Sequence, residues 1–91
     1  MFKLMIIGCG VRGRSWTQAI KDNLDCKITA FVDINQNNID RIRTLYGDDT
    51  VAGYIDFDKA LDEAQVDGVI LATPPQYHYD QSIAILDKNI H

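Results

Sequence analysis

The chain has 91 residues, 46% of them apolar, enough to bury the core of one small domain. Nine basic and 13 acidic residues leave a formal net charge of −4 with no basic stripe, so neither nucleic acid nor an anionic membrane is expected as a partner. Cys9 and Cys26 stand seventeen positions apart without a C-x-x-C pair, which suggests neither a disulfide framework nor a metal site and makes a reduced, cytoplasmic protein the expectation.

The first residues superficially resemble a secretion signal. The apolar stretch Leu4-Met5-Ile6-Ile7 is shorter than the roughly 7–15 residues of such a segment, and it reads instead as a strand over 3–7 buried on both faces. No segment approaches transmembrane length. A helix is predicted over 11–23, with Ala19, Ile20 and Leu24 on its inner side and Trp16 as a packing residue. A second strand covers 27–32. Ile39, Ile42, Leu45 and Tyr46 recur at three- and four-residue spacing and predict a helix over 35–46, stopped by Gly47. A short strand follows at 51–54. Asp56 or Asp58 caps a helix that turns Phe57, Ala60, Leu61 and Ala64 inward. Residues 66–72 hold the fourth strand, which Pro74-Pro75 ends because proline cannot extend a central ladder. A last helix is predicted over 77–89, and Ile90-His91 would begin a fifth strand. The alternation predicts an α/β domain: a parallel sheet with helices on both faces, in strand order 3-2-1-4, with a ligand across the strand ends between strands 1 and 4.

One spacing carries chemistry. Gly8-Cys9-Gly10-Val11-Arg12-Gly13 lies between the first strand and the first helix, and Asp33 follows twenty residues beyond Gly13. Gly8 permits a tight turn, Gly10 a close backbone approach to a pyrophosphate, and Gly13 close helix packing. The first N–H groups of the helix have no internal acceptors and suit a phosphate. A carboxylate at Asp33 bonds the adenosine ribose hydroxyls and repels a 2′-phosphate, favouring NAD over NADP. The alternative is a helix-capping aspartate, a role Asn35 could share. Val11 offers its backbone N–H. Arg12 either touches the pyrophosphate or stays solvated. Cys9 has no neighbouring base to activate it. Thr73 and Pro74, at the carboxyl end of strand 4, are expected to line the nicotinamide ribose with the Thr73 hydroxyl as a donor, the alternative being an ordinary strand stop with a proline start to the next helix. His78, at the start of a helix and flanked by Tyr77 and Tyr79, is a candidate to face the nicotinamide half of the site, the alternative being an inert surface histidine.

Together, GCGVRG, Phe31-Val32-Asp33 and the run Val66 to Pro75 with His78 resemble the amino-terminal domain of the Gfo/Idh/MocA oxidoreductases. The resemblance covers the whole chain, and its Ala-Thr-Pro string with His78 is more specific than the glycines alone. It implies a Rossmann-type cofactor domain of a larger two-domain enzyme that exchanges a hydride between NAD(P) and a sugar, inositol or related polyol. It matches Gly8, Gly10, Val11 and Arg12 to the phosphate loop, Asp33 and Ile34 to the adenosine-ribose segment, and Thr73, Pro74 and His78 to the nicotinamide side. Pro75 departs from the pattern, where many members have Asn. The family's Glu-Lys-Pro motif would fall just beyond His91, with other catalytic residues in a carboxyl-terminal domain. No catalytic residue is therefore assigned, the segment alone is expected to be inactive, and self-association through an exposed strand 4 is expected. Two other readings share the cradle: a dinucleotide-binding module without chemistry, and an S-adenosylmethionine methyltransferase, which the Thr73-Pro74-Pro75 segment fits poorly.

Overall fold

The computed structural model describes residues 2–23, 25–46 and 50–87. Strands and helices alternate as β1 (Phe2–Ile7), α1 (Val11–Ile20), β2 (Cys26–Val32), α2 (Gln36–Tyr46), β3 (Ala52–Tyr54), α3 (Phe57–Glu63), β4 (Gly68–Leu71) and α4 (Pro75–Asp87). The sheet is parallel in the order β3-β2-β1-β4, as the alternation predicts. Leu24, Gly47 and the expected fifth strand at 90–91 lie outside the described residues.

The two faces of the sheet carry separate cores. Leu4 and Ile6 point to one face, where Ile28, Phe31, Ile39, Ile42 and Val51 complete the cluster. Met5 and Ile7 point to the other, against Ala30, Val32, Ala60, Leu61 and Ile85. In β1 this is the two-residue alternation of a strand. In β2 the alternation breaks: Ile28 and Phe31 share a face although they are three apart. The register explains it, because Leu4 pairs with Ile28 while Met5 pairs with Ala30. Thr29 is thus an extra residue, a β-bulge that switches the face taken by every later side chain. The Tyr46 hydroxyl accepts from the Ile28 N–H at 3.2 Å, and the Tyr46 ring meets Phe31 edge-on at 6.0 Å. The end of α2 is thereby fixed beside the bulge.

The helices fall close to their predicted places, with three differences. First, α1 ends at Ile20, three residues early: the Asn23 N–H bonds Ile20 O, and the Asn23 side chain accepts from Asp25 N at 2.8 Å, making a local turn that competes with helix. Second, its inner face is not Ala19 and Trp16, since Ala19 is exposed and Trp16 is 49% exposed. Gly13 and Thr17 are buried instead, and Thr17 hides its hydroxyl by donating to Gly13 O at 2.8 Å. Third, α4 begins at Pro75, two residues early, because proline suits the first helical position, where no N–H is needed. Asp56, not Asp58, caps α3 by accepting from the Asp58 and Lys59 N–H groups. The start of β4 is clipped to β1 by Asp67, whose N–H donates to Lys3 O while its carboxylate accepts from Lys3 N.

Candidate functional site

The β1–α1 loop is built by contacts that only glycine allows. Gly8 has φ +95, and a Cβ there would stand 2.8 to 2.9 Å from the backbone of Ala72 and Thr73. The loop is therefore pressed against the exit of β4. A Cβ on Gly13 would fall 1.9 Å from Gly8 O, so α1 lies directly on the turn. Gly10 is different: nothing lies within 4 Å of its Cβ position. It begins α1 with no side-chain cap. The N–H groups of Val11, Arg12 and Gly13 therefore open the helix without intrahelical acceptors, at the positive end of its dipole. Bare backbone, free donors and open space above Gly10 fit a pyrophosphate.

Asp33 closes one end of this region. Its Oδ2 accepts from the Cys9 N–H at 2.9 Å and from Asn38 Nδ2 at 3.3 Å, and its Oδ1 accepts from Asn35 N at 2.8 Å. The carboxylate thus ties the loop after β1 to the loop after β2. Capping of α2 falls to Asn35, whose Oδ1 accepts from Asn37 N and whose carbonyl accepts from Asn38 N. Asp33 is left turned toward the strand ends.

Thr73 forms the opposite end. Its hydroxyl donates to Gln81 Oε1 at 2.6 Å, and its carbonyl oxygen is held by His78 Nε2. A carbonyl only accepts, so the proton sits on Nε2. A single cleft of about 710 Å³ joins the two ends across Gly8, Gly10, Val11 and Arg12, within the usual range of small-ligand sites. Ile34 and Pro74 also line it, so eight of the nine predicted residues converge. His78 does not line it; it braces the Thr73 backbone from α4. Asn38, Ile55, Phe57 and Gln81 line the cleft and were not anticipated. Phe57 and Gln81 occupy helical positions that read as ordinary amphipathic residues. Asn38 lies one helical turn beyond the Asp33 loop, and that proximity was its only available signal.

Cys9 is buried beneath the loop, its thiol donating to Val32 O at 3.5 Å. Burial, reinforced by the nearby Asp33 charge, pushes the thiol up to about 12. The unfolded chain would deprotonate it near 9, whereas the folded chain holds the proton to about 12. This contribution to stability is full below pH 9 and is lost as pH rises from 9 toward 12. Native protein at pH 8 should leave Cys9 unmodified by maleimide, with mass spectrometry finding it modified only after unfolding. Rapid modification of Cys9 in the native state would contradict the burial.

The model of the Gfo/Idh/MocA oxidoreductase family, NAD-binding Rossmann fold, matches residues 2–91. The chain belongs to this family. No protein with a curated description matches it. Among solved structures, scyllo-inositol dehydrogenase from Lactobacillus casei with bound NAD(H) and scyllo-inositol superposes with a TM-score of 0.89 at 23% identity, over 100% of this chain and 26% of that one. The WlbA dehydrogenase from Bordetella pertussis, in complex with NADH and UDP-GlcNAcA, gives 0.89 at 21% identity, over 99% and 27%. A putative myo-inositol dehydrogenase from Sinorhizobium meliloti gives 0.85 at 21%, over 99% and 26%. These likenesses confirm the fold, and the chain spans about a quarter of the length of each. No helix among the described residues is long and apolar enough to cross a membrane.

Proposed function

We propose that this family member is the cofactor domain of a two-domain cytoplasmic dehydrogenase that binds NAD in preference to NADP and acts on a sugar, inositol or related polyol. The observation that carries the reading is the cleft itself. It runs from Asp33, past the open backbone of Gly10 and the N-terminus of α1, to Thr73. In this reading the adenine lies against Ile34 and Ile55, and Asp33 takes the ribose. The N–H groups of Val11 and Arg12 take the pyrophosphate, with the Arg12 side chain at its edge. Thr73 and Pro74 face the nicotinamide ribose, while His78 acts through Thr73. Bound NAD supplies the hydride acceptor. The donor role expected of the Thr73 hydroxyl is reversed: its proton is committed to Gln81, so Thr73 presents oxygen lone pairs to the cleft, suited to a ribose O–H donor. The free thiols Cys9 and Cys26 support a reduced compartment. The substrate class is supported by the inositol and nucleotide-sugar ligands named for the neighbours.

Calorimetric titration with NADH and NADPH tests the cofactor assignment. The chain should bind NADH more tightly than NADPH. Asp33→Ala should weaken NADH at least about tenfold, since hydrogen bonds to charged groups contribute roughly 1.5–3 kcal/mol each. It should also lower stability by about 1–3 kcal/mol, because the Cys9 and Asn35 N–H groups lose their acceptor. Equal affinity of the unaltered chain for the two cofactors would overturn the preference.

A further inference from the structure

We infer that Asn38 is a specificity-determining residue of the adenosine-ribose pocket: its amide fixes the Asp33 carboxylate and offers the second acceptor that distinguishes a ribose diol from a 2′-phosphate. The inference rests on the NAD reading above and extends it to a residue outside the glycine-and-aspartate pattern.

The argument is a count of donors and acceptors. An ionised carboxylate has about four lone-pair sites. Asp33 already accepts from Asn35 N, Cys9 N and Asn38 Nδ2, so about one site is left for a ligand. A ribose with free 2′ and 3′ hydroxyls brings two donors, and one carboxylate site cannot serve both. At this end the cleft is lined by Asp33, Ile34, Asn35, Asn38, Ile55 and Phe57. Asn35 Oδ1 is occupied by Asn37 N in capping α2. Since Asp33 can only accept, the Asn38 nitrogen must face it, and that fixes which way the amide points. The Asn38 amide oxygen is left on the cleft wall with no hydrogen-bond partner among the described residues.

The same arrangement disfavours a phosphate. A phosphate monoester carries about −1.5 to −2 charge at pH 7 and only accepts strongly. It would meet the Asp33 carboxylate and the Asn38 carbonyl, both acceptors, with no lysine or arginine among the described residues lining this end. Arg12, the basic residue that does line the cleft, belongs to the phosphate loop at the start of α1.

Asn38 occupies the first turn of α2, half-buried, while Asn35 supplies the cap, so replacing Asn38 leaves the cap intact. The test is calorimetric titration of NADH and NADPH into the unaltered chain and two variants. Asn38→Ala should weaken NADH about fivefold to tenfold and leave NADPH nearly unchanged, so the preference shrinks by the same factor. Asn38→Asp puts a second carboxyl where the amide contacts Asp33. NADH binding should then be poor at pH 8 and recover several-fold at pH 5.5, as the pair shares a proton and regains an internal donor. A purely structural role would weaken both cofactors equally and give no such pH dependence. An unchanged NADH-to-NADPH ratio in both variants, with NADH still bound by the unaltered chain, overturns the role of Asn38 alone. Failure of the unaltered chain to bind NADH overturns the NAD reading and this inference with it.

Discussion

Gly13→Ala is expected to be among the most destabilising single substitutions in the chain, although alanine favours helix by about 1 kcal/mol over glycine. The added methyl would lie 1.9 Å from Gly8 O, and the obstacle is backbone, so no rotamer change relieves it. Either α1 lifts from the turn or the turn moves off β4, where Gly8 is already pressed against Ala72 and Thr73. Overpacking a core commonly costs about 1–3 kcal/mol, and a backbone clash belongs at or above the top of that range. After the helix-propensity gain, a net loss of at least about 2 kcal/mol should remain. For a domain of this size, that lowers the melting temperature by roughly 8–16 °C. Gly8→Ala should fall in the same class, since positive φ adds about 1–2 kcal/mol to its steric conflict. Thermal unfolding followed by circular dichroism reads both. A Gly13→Ala variant that melts with the parent would mean that α1 does not sit on the turn as described.

The order of elements was legible in the sequence because helix and strand periods differ, and because β1 from Leu4 onward and β4 are short apolar runs ending at turn residues. Strand order followed from right-handed crossovers and the position of the glycine loop. What stayed hidden has specific causes. The bulge at Thr29 has no marker, since Thr29 suits a strand as well as its neighbours do. The inner face of α1 misled because an apolar pattern favours Ala19 and Trp16. The structure needs a residue with no side chain at Gly13 and a threonine whose hydroxyl bonds back to the same turn. Of the residues lining the cleft, those anticipated from the sequence are the ones whose position along the chain fixes their place, at the ends of β1, β2 and β4. Asn38, Ile55 and Gln81 arrive from α2, the turn after β3, and α4. Only tertiary packing brings them together.

Gly10→Ala should separate binding from folding, which Gly8 and Gly13 cannot do. A Cβ at Gly10 meets nothing within 4 Å, and its φ of −79 suits any residue. Alanine is a poorer N-cap than glycine, so a loss of about 1 kcal/mol or less is expected, and the melting curve should stay near that of the parent. The methyl nevertheless enters the space above the first turn of α1, where the N–H groups of Val11 and Arg12 have no intrahelical acceptors. In the proposed complex the pyrophosphate must come within about 2.9 Å of those donors, and an added carbon holds it off. Losing one or two charge-assisted bonds, at roughly 1.5–3 kcal/mol each, should weaken NADH at least about tenfold and up to a thousandfold or more. Adenosine binding should change little, because the ribose end at Asp33 is untouched. Titrations of NADH and adenosine into this variant therefore locate the pyrophosphate along the cleft. Full NADH affinity in a folded Gly10→Ala chain would place the phosphates elsewhere, leaving the open backbone at Gly10 without the role proposed for it.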